Sequence, residues 1–250
     1  MSLSTRVWLI LDRVALVALL VASFGVIWKI GLFRDTPPPS LSVAGTSTFV
    51  PPKPSEFIAG RISPSVFQKA AMTGSSQAKA VIVEFSDYQC PFCARFARDL
   101  YPELRREFID TGKVRYVIMN FPLEMSHPEA MAAALAVECA RSQGKFWQMR
   151  DALFLNQHAL KNADVTAYAK SVGIDLATFQ SCTDRQLASA IVEAQREEAS
   201  RLGVSATPTF LVGSVHADGT IDLSTRIVGA QSLEVFRSAI AEIVGRTRIH

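Results

Sequence analysis

The sequence predicts an α/β fold with a large block of helix set between strands, preceded by one N-terminal transmembrane helix. Three observations predict it. Val81-Ile82-Val83-Glu84-Phe85 is an apolar, β-branched run that breaks at Asp87 and turns into a helix at Pro91. Further strand-like runs at 114–119, within the loop and strand of 204–212, and at 220–228 are accompanied by long stretches of helical periodicity. Residues 14–33 carry only one charge, Lys29, over the roughly 20 residues a helix needs to cross a bilayer.

Taken in order, residues 1–13 are a short leader and 14–33 an anchor. A cleavable signal peptide is the competing reading, because Arg6 and Arg13 precede the apolar run and Val21-Ala22-Ser23 supplies small residues. Hydrophobicity continues past that point through Phe24, Val26, Ile27, Trp28 and Ile30, and Trp28 with Lys29 suits a membrane interface, which favours an uncleaved anchor. A buried helix of a soluble domain is the third reading. Residues 34–60, with Pro37-Pro38-Pro39 and Pro51-Pro52-Lys53-Pro54, form a Pro/Ser-rich linker; an extended tether explains it without a partner, and a proline-rich ligand is the alternative. Residues 61–250 are the folded domain.

Within that domain, residues 65–73 are a lead-in and the strand at 81–85 follows. Pro91 suits the first turn of a helix, which places Cys90 at its N-cap. A sulfur there meets unpaired backbone N–H groups and the positive end of the helix dipole, both of which favour thiolate. Cys93 lies one turn on, close enough to close a disulfide onto Cys90. A Cys-x-x-Cys pair also occurs in zinc sites, but such sites bring a second close ligand pair, whereas Cys139 and Cys182 are single and far apart.

The helix continues with Phe92, Cys93, Phe96, Ala97, Leu100, Leu104 and Phe108 as one apolar stripe, and Pro102 predicts a kink near Leu100. Arg95, Arg98, Arg105 and Arg106 lie off the stripe and read as a solvated face. Beyond the strand at 114–119, helical patterns cover 131–140, 146–155, 165–172, 176–182 and 185–202, and residues 232–244 form a closing amphipathic helix. The net charge of +3 is mild and dispersed, which argues against a nucleic-acid partner.

The run Phe85-Ser86-Asp87-Tyr88-Gln89-Cys90-Pro91-Phe92-Cys93 resembles the active site of the DsbA-like branch of the thioredoxin superfamily, the thiol:disulfide oxidoreductases of the bacterial cell envelope. Ala136-Val137-Glu138-Cys139-Ala140, Gln143-Gly144-Lys145-Phe146-Trp147, Asp151-Ala152-Leu153-Phe154 and Ala206-Thr207-Pro208-Thr209-Phe210 extend the resemblance, which runs from about residue 63 to 244. It implies a thioredoxin fold with a helical insert at about 126–202, membrane-anchored as in the DsbA/BdbD type. Cys90 and Cys93 would be the redox-active pair, Glu84 a buried acid relaying a proton to Cys93, and Thr207-Pro208 a cis-proline loop that pairs with substrate backbone. Cys139 and Cys182 would form a second disulfide; two separate buried thiols is the alternative.

The implied function is donation of a disulfide to secreted or envelope proteins, without cofactor or metal. The implied partners are reduced or unfolded secreted proteins and a membrane redox partner of the DsbB or vitamin K epoxide reductase type. The implied location is the inner membrane of a bacterial envelope, with the catalytic domain outside the cytosol. Pro91-Phe92 departs from the Pro-His of the strong oxidants, so an envelope reductase or isomerase is the alternative direction. A non-catalytic thioredoxin-like binding module is the alternative class.

Overall fold

The computed structural model describes residues 55–246 except Ala217. The expected anchor at 14–33 and most of the expected linker lie outside the described residues. The described chain forms a six-stranded sheet of order β1-β6-β5-β3-β4-β2. The strands are β1 (Ser55–Arg61), β2 (Ala71–Thr73), β3 (Ala80–Ser86), β4 (Val114–Asn120), β5 (Thr209–Val215) and β6 (Ile221–Val228). β3 and β4 are parallel, and the other neighbouring pairs are antiparallel.

β3 is buried at all seven residues because both faces of the sheet are covered. The two-residue period sorts its side chains: Ala80 and Ile82 join one core, while Val81, Val83 and Phe85 join the other. Glu84 therefore belongs to the face of Ala80 and Ile82. The same alternation puts Val114, Tyr116 and Ile118 of β4 and Phe210 and Val212 of β5 on that face.

The helix opened by Pro91 runs as α2 (Pro91–Arg95), a π-helical segment Phe96–Leu100, α3 (Tyr101–Leu104) and a second π-helical segment Arg105–Ile109. Pro102 removes one backbone donor, and the chain answers with the wider turns of a π-helix on either side of α3 rather than by ending. Phe96 packs 4.4 Å from Phe210, ring centre to ring centre, which pins this helix to the central strands.

The insert comprises α4 (Ala130–Arg141), α5 (Phe146–Leu155), α6 (Asn162–Ser171), α7 (Leu176–Asp184) and α8 (Ser189–Arg201), and α9 (Leu233–Arg246) closes the chain. A four-residue helix, α1 (Pro64–Phe67), precedes β2. Two boundaries differ from the sequence reading. Residues 55–60, read as linker, belong to β1, an edge strand whose only pairing partner is β6, some 165 residues later, so nothing local announces it. The helix expected from 185 begins at Ser189, because Gln186 takes a positive φ of 48° and breaks the helix there.

Cys139 on α4 and Cys182 on α7 are joined as a disulfide, with Cα atoms 5.8 Å apart across 43 residues of sequence. Closing a loop of that length stabilises the fold by about 4 kcal/mol in the chain-entropy account. Replacing both cysteines by alanine should lower the urea unfolding free energy by about 2–4 kcal/mol while leaving thiol exchange at Cys90 intact. An unchanged midpoint would show that the bond adds nothing to the insert.

Candidate active site

β3 ends at Ser86, and the next three residues turn the chain so that Cys90 begins a helix. Asp87 makes that turn. Its buried carboxylate accepts from the Gln89 N–H at 2.7 Å and the Leu123 N–H at 2.8 Å, and it pairs with His127 Nδ1 at 2.8 Å. Gln157 donates from the insert to the carbonyls of Tyr88 and Cys90 at 3.3 and 3.1 Å. The site loop is thereby tied to both the β4–α4 connection and α5's C-terminal end.

Cys90 takes extended backbone angles at the N-cap of α2, with Pro91 at the first helical position. Cys90 and Cys93 are both buried free thiols. Cys90 ionises far below an ordinary thiol, at about 6. The Cys93 thiol, donating to the Cys90 sulfur, contributes most. Burial opposes it, and the Thr207 side chain and the backbone N–H groups of Cys93 and Phe92 lower the pKa further. As a thiol, Cys90 donates to the Thr207 carbonyl at 3.3 Å. Once ionised it has no proton to give, and the buried Thr207 hydroxyl, with no other partner, is the group on that side able to donate to sulfur. Thr207 precedes Pro208 through a cis peptide bond.

Cys93 is the opposite case. Burial pushes its thiol well up, and the hydrogen bond it gives to Cys90 and the negative charges of Cys90 and Glu84 push the same way. The pair is thus one strong and one weak acid. Glu84, fully buried beneath them, has its carboxyl raised by burial, with Arg150's charge and hydrogen bonds from the Tyr116 and Ser86 hydroxyls opposing. The Ser86 contact is 2.7 Å; Tyr116 donates to the other carboxyl oxygen.

The expected residues Cys90, Cys93, Glu84, Thr207 and Pro208 thus meet at one end of the sheet, and Cys139 and Cys182 lie apart in the insert. Sequence reasoning missed Asp87's anchoring role, Tyr116 and Arg150. For Arg150 a signal existed: it falls four residues from both Phe146 and Phe154, on the buried side of α5. Trp147 and Phe154 stand around that guanidinium.

This geometry, a strand delivering an N-capping thiol against a proline loop, is that of a thioredoxin-like domain. The profile of the family described as Thioredoxin matches residues 68–226, and the chain belongs to that family. Among solved structures, oxidised BdbD from Bacillus subtilis aligns with a TM-score of 0.63 at 24% identity, covering 76% of this chain and 99% of that one. Wolbachia pipientis alpha-DsbA1 aligns at 0.59 and 21%, covering 72% and 93%. A thioredoxin-like oxidoreductase from Silicibacter pomeroyi aligns at 0.58 and 25%, covering 74% and 97%. The fold is therefore DsbA/BdbD-type, helical insert included. By sequence the chain is 36% identical to the Na(+)/H(+) antiporter NhaA 3 of Salinispora tropica over 66% of its own length but 24% of that protein. The chain spans about a quarter of the length of such curated relatives, and ion antiport is a property named for those longer proteins.

Two measurements follow. Thiolate absorbance of the reduced protein should rise in one step at about pH 6 and lose that step in Cys90→Ala. The same shift acts on stability: folding lowers the Cys90 pKa from the about 8.5 of an unfolded thiol, so its contribution is complete above that value and is lost as pH falls through about 6. The stability gap between the reduced wild type and reduced Cys90→Ala should close between about pH 8 and about pH 5. A gap independent of pH would mean that Cys90 is not a thiolate in the fold.

Proposed function

We propose that this chain is a thiol:disulfide oxidoreductase that donates the Cys90–Cys93 disulfide to client proteins. The observation that carries the reading is the placement of the two thiols, Cys90 at the N-cap of α2 against the Thr207 carbonyl at 3.3 Å and Cys93 one turn inward and fully buried, which makes the first acidic and the second weakly so. A client thiolate attacks the Cys90 sulfur, the Cys90–Cys93 bond breaks, and Cys93 leaves with its electron pair and takes up a proton. A second client thiolate then attacks the client sulfur of the mixed disulfide, forming the client disulfide and expelling Cys90 as thiolate. Two electrons pass from client to enzyme. Cys90 is the better leaving group because its charge is stabilised where it stands.

Glu84 is suited to supply and recover the Cys93 proton, since its own raised pKa brings it toward neutrality. The Thr207 backbone, beside the Cys90 sulfur, suits pairing with an extended client segment. Phe92 stands where strong oxidants of the resembled branch carry histidine; its ring is 52% exposed and lies under the Arg95 guanidinium at 5.2 Å. The acidity of Cys90 is supplied by other groups, which supports the oxidising direction without that histidine.

With the apolar stretch at 14–33 as an uncleaved anchor and 34–54 as a tether, the domain would work on the outer side of a bacterial inner membrane. Its clients would be reduced secreted proteins, and a membrane quinone-linked partner of the DsbB or vitamin K epoxide reductase type would reoxidise it.

The deciding experiment is the glutathione redox equilibrium of Cys90–Cys93, read by thiol alkylation, together with refolding of a reduced, scrambled client. A potential of about −120 to −180 mV, with turnover abolished in Cys90→Ser, is expected. A potential near about −270 mV would make the domain a reductase, and full activity in Cys90→Ser would make it a binding module.

A further inference from the structure

α5 buries Phe146, Met149, Arg150, Leu153 and Phe154 on one side, so a guanidinium fills a place where the spacing suits a hydrocarbon. Arg150 is 1% exposed. Its Cζ stands 4.3 Å from the ring centre of Tyr101, 5.3 Å from that of Phe154 and 5.7 Å from that of Trp147. Three aromatic faces stabilise the cation. The hydrogen bonding is incomplete. Nη1 donates to Asp151 at 2.7 Å, a side chain 68% exposed, while Nε and Nη2 are buried without a hydrogen-bond partner. A charge held this way is costly to desolvate, and a methionine would fill the same space without that cost.

What the charge faces accounts for it. Arg150 lies over the Tyr101 ring, that ring stands 5.0 Å from Tyr116, and the Tyr116 hydroxyl donates to Glu84 on β3, so two rings in contact connect the guanidinium to the carboxyl. Arg150 is also the largest influence favouring the ionised form of Glu84, against burial. Around Arg150 stand Tyr116 on β4, Tyr101 on α3, Tyr88 in the turn after β3, and its neighbour Asp151. Burial raises all three tyrosines, so they stay neutral, and Asp151 reaches into solvent. Glu84 is thus the buried acid whose charge Arg150 is placed to balance.

We propose that Arg150 is a positioning residue for thiol exchange: the fixed counter-charge that lets buried Glu84 alternate between carboxyl and carboxylate as it hands a proton to Cys93 and takes it back. The proposal rests on the redox reading of Cys90–Cys93. When the client thiolate breaks the Cys90–Cys93 bond, the Glu84 carboxyl protonates the departing Cys93 sulfur and is left as carboxylate opposite Arg150. In reverse, the carboxylate takes the Cys93 proton, Cys93 attacks Cys90, and the client leaves as thiolate. Atoms and charge balance in both directions. Without Arg150 the carboxylate has no buried cation opposite it, and the acid stays protonated.

The test is the rate at which Cys93 resolves a preformed mixed disulfide on Cys90, followed across pH in the full chain. Arg150→Met should slow resolution roughly tenfold at about pH 7 and move the profile up by about one unit, and Arg150→Lys should restore most of the rate. Glu84→Gln should slow it too, and adding Arg150→Met to Glu84→Gln should cost nothing further. An equal loss in both backgrounds, or an unmoved profile, overturns the proposal. If Arg150→Met does not fold, infrared spectra of the wild type decide it, with the Glu84 band assigned by its absence in Glu84→Gln. A carboxylate in the reduced protein at about pH 8 is expected, and a carboxyl protonated from about pH 5 to about pH 9 overturns it. Activity surviving in Cys90→Ser would instead sink the redox reading itself. Loss in Cys90→Ser with an unmoved Arg150→Met profile sinks only the role of Arg150.

Discussion

Glu84 lies on a strand whose every residue is buried, and a carboxyl group there has to be satisfied by protein groups because water does not reach it. Much of the site is organised by that requirement. Ser86 and Tyr116 present hydroxyls to its two oxygens, and Arg150 enters from the insert as the opposing charge. Tyr116 can reach it because β3 and β4 are parallel neighbours, with Tyr116 opposite Ile82 and both on the same face of the sheet. The aromatic packing around Arg150 is the insert's share of the same arrangement. An isolated thioredoxin-like sheet would carry Glu84 and Tyr116 but no cation above them.

The two cysteines show how little covalent difference is needed to separate their chemistry. They are the same side chain, three residues apart, yet one ionises at about 6 and the other is pushed well above the ordinary thiol range. Position in the helix decides it. The N-cap sulfur stands at the end of α2 where backbone N–H groups lack helical partners and their charge favours thiolate, whereas the sulfur one turn inward is enclosed by the core and feels the negative charges of Cys90 and Glu84. Thr207 faces Cys90 from across the site, its carbonyl accepting from the thiol at 3.3 Å.

The insert is more than a cover. Its own coherence comes from Cys139–Cys182 and from the alanine-rich inner side of α4, where Ala133, Ala134, Ala136 and Ala140 are all buried and allow close helix packing. From that platform it reaches the site twice, through Gln157 to the loop carbonyls before α2 and through Arg150 to the buried acid. Asp87 makes the reciprocal connection by holding Leu123 and His127, the stretch of chain that leads into α4.

The local elements were legible wherever the cause is local. The β-branched run at 81–85, the proline after Cys90 and the spacing of the two thiols determine a strand, a helix start and an N-capping sulfur without reference to the rest of the chain. Tertiary structure decided what depends on partners distant in sequence. β1 is a strand only because β6 pairs with it, and the π-helical turns around Pro102 arise where the helix must stay packed on the sheet. Glu84 was visible as an acid in a strand, but its burial required both faces of the sheet to be covered. Arg150, an ordinary arginine in a helical pattern, acquired its place only when α5 folded over that strand, because electrostatic influence follows distance and burial rather than order along the chain.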